Sequence, residues 1–352
     1  MAGDFSITRG RYRVLFGLLC GIGALMLTAK TALAEARELV IASYSVPKEA
    51  YEKQIIPAFQ TYWKAKTGQD LRIRTSYSAS GAQTRAIIGG FEADIAALSL
   101  EGDLNQIVKA GLITHDWRQS PHRGIVTTSV VVWGTRKGNP KGIKTWEDLA
   151  KGGIDVLYPN PKTSGGAMWD VLAIYGAGLR QPAQGTSQPQ SYAADLLKRI
   201  QKNVKVMDKS GRESVTTFER GIGDVIVTYE NELVPRVKIG RPYDIIMPPA
   251  TILIENPVAV VDRYADKHRV RDVADAFVAF LHEAQAQRAF VEVGFRPASD
   301  RPGEKPAAGR DTAPTSQIFS IEDLGGWESI SAQVFGPQGA WTKAVEELAR
   351  SR

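Results

Sequence analysis

Three serines, Ser45, Ser80 and Ser164, each stand between a short apolar run with strand character and a stretch with helical periodicity. The first turn of a helix exposes unpaired N–H groups and the positive end of the helix dipole, so each of these turns can hold an anion. Ser45 is predicted to cap its helix, and Ser80 with Gln83 matches the Ser-x-x-Gln capping box. Each turn taken singly is also typical of an ordinary helix start. Three converging turns would make a strong anion site, but spacing alone does not establish convergence.

Two glycines, Gly165 and Gly166, follow Ser164 directly, and the lack of a Cβ lets a ligand approach the backbone closely. A fourth turn, Lys209–Ser214, is also rich in small residues and precedes another apolar helical stretch. Ligands of open α/β sheets bind at the carboxyl ends of the strands, which favours a joint site over separate caps.

The elements that position these turns follow an α/β pattern, in which runs rich in Val and Ile alternate with longer amphipathic stretches. Strands are predicted at Leu39–Ser43, Leu71–Ser76, Asp94–Leu98, Ile125–Trp133, Asp155–Tyr158, Asp224–Tyr229, Ile245–Met247 and Val258–Val261. Long helices are predicted at Glu49–Lys66 and Val273–Val293. Surface loops are expected at Arg180–Ser191 and Arg301–Thr315. This order predicts two interleaved lobes rather than two domains joined by a linker.

Residues 1–34 have the pattern of a cleaved signal peptide, in which three arginines precede the apolar stretch Val14–Thr28 and the small-x-small motif Ala32-Leu33-Ala34. The apolar stretch is shorter than the roughly 20 residues that span a bilayer, so cleavage is favoured over a retained anchor. The only cysteine, Cys20, lies within it, without a lipoprotein pattern before it, so residues 35–352 contain no disulfide. We expect a protein exported in soluble form to the periplasm of a Gram-negative bacterium.

The charge of the chain argues against a nucleic-acid-binding protein. The net charge is +6, and residues 1–34, with four basic and one acidic residue, contribute three of these units. The rest of the 352-residue chain mixes both signs and has no long basic run. It is long enough for two lobes with separate cores.

At the residues named above, the chain resembles the periplasmic sulfate- and thiosulfate-binding proteins of ABC importers. The matching segments are Ser43-Tyr44, Ser80-Gly81-Ala82-Gln83, Arg136–Ile143, Asn160–Ala167, Glu219–Asp224, Phe319-Ser320-Ile321 and Gly325-Gly326-Trp327, in order along nearly the whole exported chain. The run Asn-Pro-Lys-Thr-Ser-Gly-Gly-Ala at 160–167 is quite specific to this family. The resemblance implies sulfate or thiosulfate as the ligand and the membrane permease subunits of an importer as partners. We expect a monomer without a cofactor or a metal.

The resemblance also implies an α/β two-lobe periplasmic-binding-protein fold of type II, with a mixed sheet and flanking helices in each lobe and a hinge of crossing strands. Lobe I would take residues 37–121 plus 249–352, lobe II would take residues 122–248, and the ligand would be enclosed between them. Carried over position by position, Ser80 and Ser164 would donate their hydroxyls to the anion. Backbone N–H groups would come from Ser45, Gly165, Gly166 and Gly211.

Two positions depart from the family pattern. Ser45 stands where an aspartate is usual, which matters little because the family uses the backbone of that residue. Tyr229 stands where a tryptophan indole often donates to the anion, and a phenol O–H can also donate. This second departure leaves the ranking among sulfate, thiosulfate and molybdate open.

The donors and acceptors of this set favour sulfate over phosphate. Sulfate only accepts hydrogen bonds at neutral pH, whereas phosphate keeps a proton that needs an acceptor. The predicted residues offer donors and no carboxylate, so phosphate would leave its O–H facing donors, at a cost of roughly a few kcal/mol. Arg85 and Arg212 are near in sequence but not in the set. Many N–H dipoles can hold a dianion without a counter-ion.

An enzyme is the alternative from another class, but the chain contains no G-x-S-x-G, G-x-x-x-x-G-K-[ST] or H-E-x-x-H motif. Its four histidines are not at metal-ligand spacing. Glu230 and Glu232 are expected to make lobe contacts or face water rather than to form an acid–base pair. A sensor that binds an oxyanion and reports to a membrane receptor would use the same closed lobes, and the sequence does not separate that role from transport.

Overall fold

The computed structural model describes residues 37–181, 188–299 and 317–351. Its strands are β1 Arg37–Tyr44, β2 Leu71–Ser78, β3 Ile95–Ala97, β4 Ile125–Arg136, β5 Val156–Leu157, β6 Val204–Val206, β7 Val225–Tyr229, β8 Tyr243–Ile246, β9 Ala250–Val260, β10 Arg296–Pro297 and β11 Gln317–Phe319. Its α-helices are α1 Lys48–Ala50, α2 Ile56–Thr67, α3 Ser80–Ile88, α4 Glu101–Lys109, α5 Trp146–Leu149, α6 Gly165–Arg180, α7 Pro189–Lys202, α8 Gly211–Glu219, α9 Glu230–Lys238, α10 Asp262–Lys267, α11 Arg271–Leu281, α12 Ala284–Glu292, α13 Gly326–Phe335 and α14 Ala340–Arg350. The predicted signal peptide, the loop at 301–315 and residues 182–187 of the loop predicted at 180–191 lie outside the described residues.

One mixed sheet runs through the described residues in the order β2-β1-β3-β9-β4-β7-β5-β6, with β8 and β10 paired to β4 and β11 paired to β9. At its centre the long strands β4 and β9 pair antiparallel. Beyond this pairing β9 continues to β3, with Val258 opposite Ala97. In the other direction β4 continues to β7, with Val131 opposite Tyr229. The two long strands therefore cross from one half of the sheet to the other.

Within each half, parallel strands lead to helices at one edge. β1 lies parallel to β2 and β3, and β5 lies parallel to β6 and β7. Both faces of β1 are buried, because Leu39 and Ile41 join one apolar cluster and Val40 and Ala42 join another. The predicted α/β pattern is confirmed, and it places the carboxyl ends of parallel strands next to helix starts.

The eight predicted strands are all confirmed, but β9 is longer than predicted. The prediction begins after Pro257, because proline lacks the N–H that a central strand uses. In the structure Pro257 stands where β9 changes partner from β4 to β3, and its carbonyl accepts a hydrogen bond from the Leu98 N–H at 3.1 Å. A proline is tolerated there because the strand is exchanging neighbours.

The single helix predicted at Val273–Val293 is wrong, because two helices, α11 and α12, meet at Glu283. That residue is extended, with ψ 152°, which interrupts the helical hydrogen bonds. Gln287 Nε2 donates to the carbonyl oxygens of Leu281 and Val126, at 2.8 and 2.9 Å, and so satisfies the end of α11. Periodicity alone does not reveal a break that a tertiary contact holds.

The helix predicted at 49–66 is confirmed as α1 and α2, joined by a π-helical turn at Tyr51–Ile55. Its buried face packs on α11 and α12. Phe59 meets Phe277 edge to face, with ring centroids 4.9 Å apart, and Tyr51 meets Phe290 in the same way at 5.7 Å. These contacts confirm that both predicted helical stretches face the core.

The last helix, α14, lies against α7, which belongs to the half of the sheet that contains β5 and β6. Trp341 of α14 donates its indole N–H to Gln201 of α7 at 3.1 Å, and Lys198 of α7 pairs with Glu347 at 2.5 Å. Among the described residues, no helix combines the length and the apolar composition that a bilayer crossing requires.

Candidate anion site

A small cavity lies where the helices that follow β1 and β2, in the first half-sheet, begin close to the helices that follow β5 and β6, in the second half-sheet. Its free volume is about 20 Å³. It is lined by Tyr44, Ser45, Val46, Ala79, Ser80, Ser99, Ser164, Gly166, Asp170, Ser210, Gly211, Thr228, Tyr229 and Glu232. Six of the seven residues predicted for the site line it, and Gly165 lies directly beside them. The structure therefore brings together the three helix starts and the fourth turn, whose convergence the spacing alone did not establish.

On the side formed by the first half-sheet, neither predicted cap is correct. α1 begins after Pro47, which makes no side-chain cap, so Ser45 lies ahead of the helix. Ala79 occupies the cap position of α3, and Ser80 is the first helical residue. Gln83 does not form a capping box, because its amide donates to the carbonyl oxygens of Ser43 at 3.0 Å and Ser76 at 2.7 Å. That amide ties β1 and β2 to the start of α3.

The hydroxyl of Ser80 is already used within this side. It donates to Asp103 Oδ2 at 2.5 Å and accepts from the Ser99 N–H at 3.0 Å. Burial raises the pKa of Asp103 to about 6, although the Ser80 hydrogen bond and the charge of Arg85 oppose the rise. Ser80 therefore presents its backbone N–H, rather than its only hydroxyl proton, at the start of α3.

On the side formed by the second half-sheet, serines cap two helices in the usual way. Ser164 Oγ accepts from the Ala167 N–H at 3.3 Å, and Ser210 Oγ accepts from the Glu213 N–H at 3.3 Å. Each capping hydroxyl keeps its own proton for another acceptor. Thr163 Oγ1 donates to the Lys209 carbonyl at 2.9 Å, which holds the starts of α6 and α8 together.

The glycines differ in how closely they are approached. A Cβ on Gly165 would lie 2.2 Å from Ser99 Oγ and 2.8 Å from a methyl carbon of Leu100, both from the opposite side. A Cβ on Gly166 would stay at 3.3 Å or more from its neighbours, and one on Gly211 would meet nothing within 4 Å. Close packing between the two sides therefore depends on the missing Cβ of Gly165. Gly211 is the first residue of α8 and has room for a side chain.

Three hydroxyls that belong to cavity-lining residues, those of Tyr44, Ser99 and Tyr229, are buried and make no hydrogen bond of good geometry among the described residues, although the Tyr229 phenol lies near Ser99 and Asn256 and the Tyr44 phenol near Thr127. Buried polar groups are nearly always paired in native structures. Burial, with the nearby charge of Asp170, raises the pKa of Tyr229 well above its usual range, so this phenol keeps its proton and can donate. Donors without partners around one cavity indicate a polar ligand that accepts hydrogen bonds.

Two carboxyl groups line the cavity, which corrects the expectation of a site without any. Glu232 is buried and paired with Arg212 at 3.2 Å and Arg236 at 2.8 Å. Asp170 is 1% exposed, and its Oδ1 has no hydrogen-bond partner among the described residues. Asp170 lies four residues after Gly166 on α6, so the i, i+4 spacing would have placed both on one helix face.

Contacts join the two sides around the cavity. Arg212, at the start of α8, pairs with Glu49 at 2.8 Å and donates to the Val46 carbonyl at 3.1 Å. Trp169 of α6 donates its indole N–H to the Ser99 carbonyl at 2.8 Å. Arg85 makes one longer hydrogen bond, to the Lys162 carbonyl at 3.3 Å.

Apart from the two carboxyl groups, the side chains that line the cavity are neutral. None of the cavity-lining residues is a lysine or an arginine. Among the described residues, no cluster of His, Cys, Asp or Glu has the grouping that a metal ion needs. Glu230, the other member of the rejected acid–base pair, pairs with Arg296 at 2.8 Å and is not among the residues that line the cavity.

Known proteins resemble this chain along most of its length. A family model described as "Bacterial extracellular solute-binding protein" matches residues 39–296. A sulfate-binding protein of Synechococcus elongatus is 46% identical over 319 residues, which cover 90% of this chain and 88% of that protein. A thiosulfate-binding protein of Pseudomonas aeruginosa is 35% identical over 307 residues, which cover 85% of this chain and 90% of that protein.

A solved structure extends the likeness to the fold. The sulfate-binding protein SubI from Mycobacterium tuberculosis superposes with a TM-score of 0.73 at 35% identity, covering 85% of this chain and 99% of that one. This likeness confirms the predicted two-lobe fold of type II. The relatives are named as binding proteins, in agreement with the expectation that the chain is not an enzyme.

Proposed function

Because the chain belongs to the bacterial extracellular solute-binding protein family, we propose that it captures sulfate or thiosulfate between two lobes and delivers the anion to an ABC-type importer. The observation that carries the proposal is the meeting of helix starts from both half-sheets around one cavity, with buried hydroxyls that lack partners and no basic side chain. Such a site offers many donors to a dianion.

The donors follow the residues predicted from the sequence, with one revision. Ser164 donates its hydroxyl, because its capping hydrogen bond uses only the oxygen lone pair. Tyr229 donates its phenol O–H. Backbone N–H groups come from Ser45, Ser80, Gly165, Gly166 and Gly211. Ser80 moves into this second group because its hydroxyl proton is given to Asp103.

The two lobes are proposed to close on the anion as rigid bodies about the crossing strands β4 and β9. In this scheme the open form has two half-sites, and the anion stabilises closure because only the closed form lets both lobes donate to it. The predicted division, 37–121 plus 249–352 against 122–248, stays a prediction. The packing of α14 on α7 favours moving α14, Ala340–Arg350, to the second lobe.

The location and the partners follow from the same proposal. Residues 1–34 act as a cleaved signal, and the exported protein works as a monomer in the periplasm. Its closed surface is recognised by the permease subunits of the importer in the inner membrane. N-terminal sequencing of the exported protein tests the cleavage and should read from Glu35 onward.

Titration calorimetry tests the ligand. The exported protein is purified, stripped of bound anion by unfolding and refolding, and titrated with sulfate, thiosulfate, molybdate and phosphate. Binding of sulfate or thiosulfate at least about 100-fold tighter than phosphate, or about 2.7 kcal/mol, is the expected result. A preference for phosphate, or no binding of any of the four anions, would contradict the proposal.

A further inference from the structure

Asp170 is a cavity-lining acid whose buried carboxyl group is not balanced by a cation. It lies on α6 one turn beyond Gly166, lines the cavity, and is 1% exposed. Its Oδ1 has no hydrogen-bond partner among the described residues. A buried carboxyl oxygen left in this way is costly unless a ligand or a proton compensates it.

The other acids near the cavity are compensated. Glu232 is neutralised by Arg212 and Arg236, and Asp103 accepts a hydrogen bond from Ser80. Asp170 has no ion pair among the described residues. An ionised Asp170 would therefore place an unbalanced negative charge in the wall of the same cavity that takes a dianion.

A protonated Asp170 would do the opposite, because a neutral carboxylic acid adds one more O–H donor to the site. We infer that Asp170 binds the anion as a protonated acid and takes up its proton from solvent when the lobes close. This inference rests on the proposed function, since it needs a cavity that opens to water in the absence of the anion. Each anion bound would therefore be accompanied by one proton that the protein takes up at Asp170.

The surroundings of Asp170 agree with this role. Burial alone raises the pKa of its carboxyl well above the usual range. The titratable groups that face it from the ends of β5 and β7 are Tyr158 and Tyr229, whose pKa values are raised by burial, so both stay neutral. Asp103, the hydrogen-bond partner of Ser80, is not among the residues that line the cavity, and no lysine or arginine lines it either. In the open form the carboxyl would meet water and ionise in the ordinary pKa range of an aspartate.

The linkage has a definite sign. The closed form binds more protons at Asp170 than the open form does, so anion affinity falls as pH rises between the open and the closed pKa. The steepest slope for one proton is about tenfold in Kd per pH unit. Below the open pKa the affinity is constant. Sulfate itself stays a dianion throughout, so the slope reports the protein.

The experiment is sulfate titration calorimetry at pH 7 and pH 8 in buffers of different ionisation enthalpy, which counts protons taken up per anion bound. Asp103, with a pKa of about 6, is mostly ionised at both values. The parent and Asp103→Asn should both take up protons, and Asp170→Asn should take up none while its Kd for sulfate becomes independent of pH. An infrared difference spectrum on sulfate addition should contain a protonated-carboxyl band that Asp170→Asn lacks.

The possible results separate the two claims. If the parent binds none of the tested anions, the proposed function fails, and the role of Asp170 fails with it. If the parent binds sulfate with no proton uptake and no carboxyl band, the inference alone is overturned. Uptake that disappears in Asp103→Asn and persists in Asp170→Asn would assign the proton to Asp103 instead. If Asp170→Asn does not fold, the proton count and the spectrum of the parent still decide.

Discussion

The helices that begin at the two sides of the cavity are capped in different ways. In the second half-sheet Ser164 and Ser210 cap α6 and α8 with their side chains, as a local sequence rule predicts. In the first half-sheet Pro47 and Ala79 occupy the cap positions, and the hydroxyl of Ser80 turns inward to Asp103. The second side therefore offers hydroxyl and N–H donors, whereas the first offers mainly its backbone. Substitutions on the two sides should have different consequences.

The largest effect is expected where the two sides touch. Gly165→Ala should weaken sulfate binding by about 100-fold, or roughly 2.7 kcal/mol, because the new methyl group would overlap Ser99 and Leu100 and prevent closure. Gly211→Ala is the matched control, since it adds the same group where nothing lies within 4 Å. Its Kd should change less than about threefold, or less than about 0.7 kcal/mol. Equal losses of affinity in the two variants would show that close approach of the two sides does not govern binding, and that each glycine matters only as the first residue of its helix.

The hydroxyls of the two sides should differ next. Ser164→Ala should weaken sulfate binding by about 30-fold, because a donor to a charged group is lost, and should also lower the free energy of unfolding by about 1 kcal/mol as a cap is lost. Ser80→Ala should change the Kd by less than about threefold, because its hydroxyl serves Asp103. Calorimetry gives the Kd values, and thermal unfolding of the anion-free variants gives the stabilities. A larger loss of affinity in Ser80→Ala would reverse the assignment of the two serines.

Tyr229 tests whether an unpartnered hydroxyl on the second side belongs to the ligand. Tyr229→Phe should weaken sulfate binding by about tenfold, since one donor to a charged group is lost. The same change should not lower the melting temperature of the anion-free protein, because no protein partner is left unsatisfied. Unchanged affinity together with lower stability would mean that this phenol has a structural role only.

A smaller loss than for the two hydroxyl donors, Ser164 and Tyr229, is expected for the ion pair that bridges the two sides. Arg212→Gln should weaken sulfate binding by about fivefold, because its contacts with Glu49 are partly exposed and Glu232 keeps Arg236. Arg85→Gln serves as the control, because that arginine makes one longer hydrogen bond across the cavity rim. A change in Kd no larger in Arg212→Gln than in Arg85→Gln would remove the ion pair from the closing contacts.

The fold and the helix starts that line the cavity were largely predictable from the sequence, because strand runs and helix starts are local patterns. The details that failed depend on distant partners. Ser80 does not cap its helix because α3 begins at Ser80 itself, and its hydroxyl is engaged by distant partners, donating to Asp103 and accepting from the Ser99 N–H. α11 ends at Leu281 because Gln287 reaches back to its carbonyl. No local pattern carries either contact.

For Asp170, the sequence predicts the position of the side chain but not its charge environment. Its spacing from Gly166 predicts that both lie on the same face of α6, so its approach to the cavity was available from the sequence. Its lack of a compensating cation was not, because that depends on which side chains of β5, β7 and α4 fold against it. A site can thus be placed by local pattern while its charge balance is set by tertiary packing.

The most direct test of the central claim is a crystal structure of the protein with selenate, whose selenium locates the bound oxyanion by anomalous scattering. The selenium is expected in the cavity between Ser164 and Tyr229, with oxygens accepting from the backbone N–H groups of Ser80, Gly165 and Gly166. All contacts should come from neutral donors of the two sides. A selenium peak outside this cavity, or an anion held there by lysine or arginine side chains, would contradict the account.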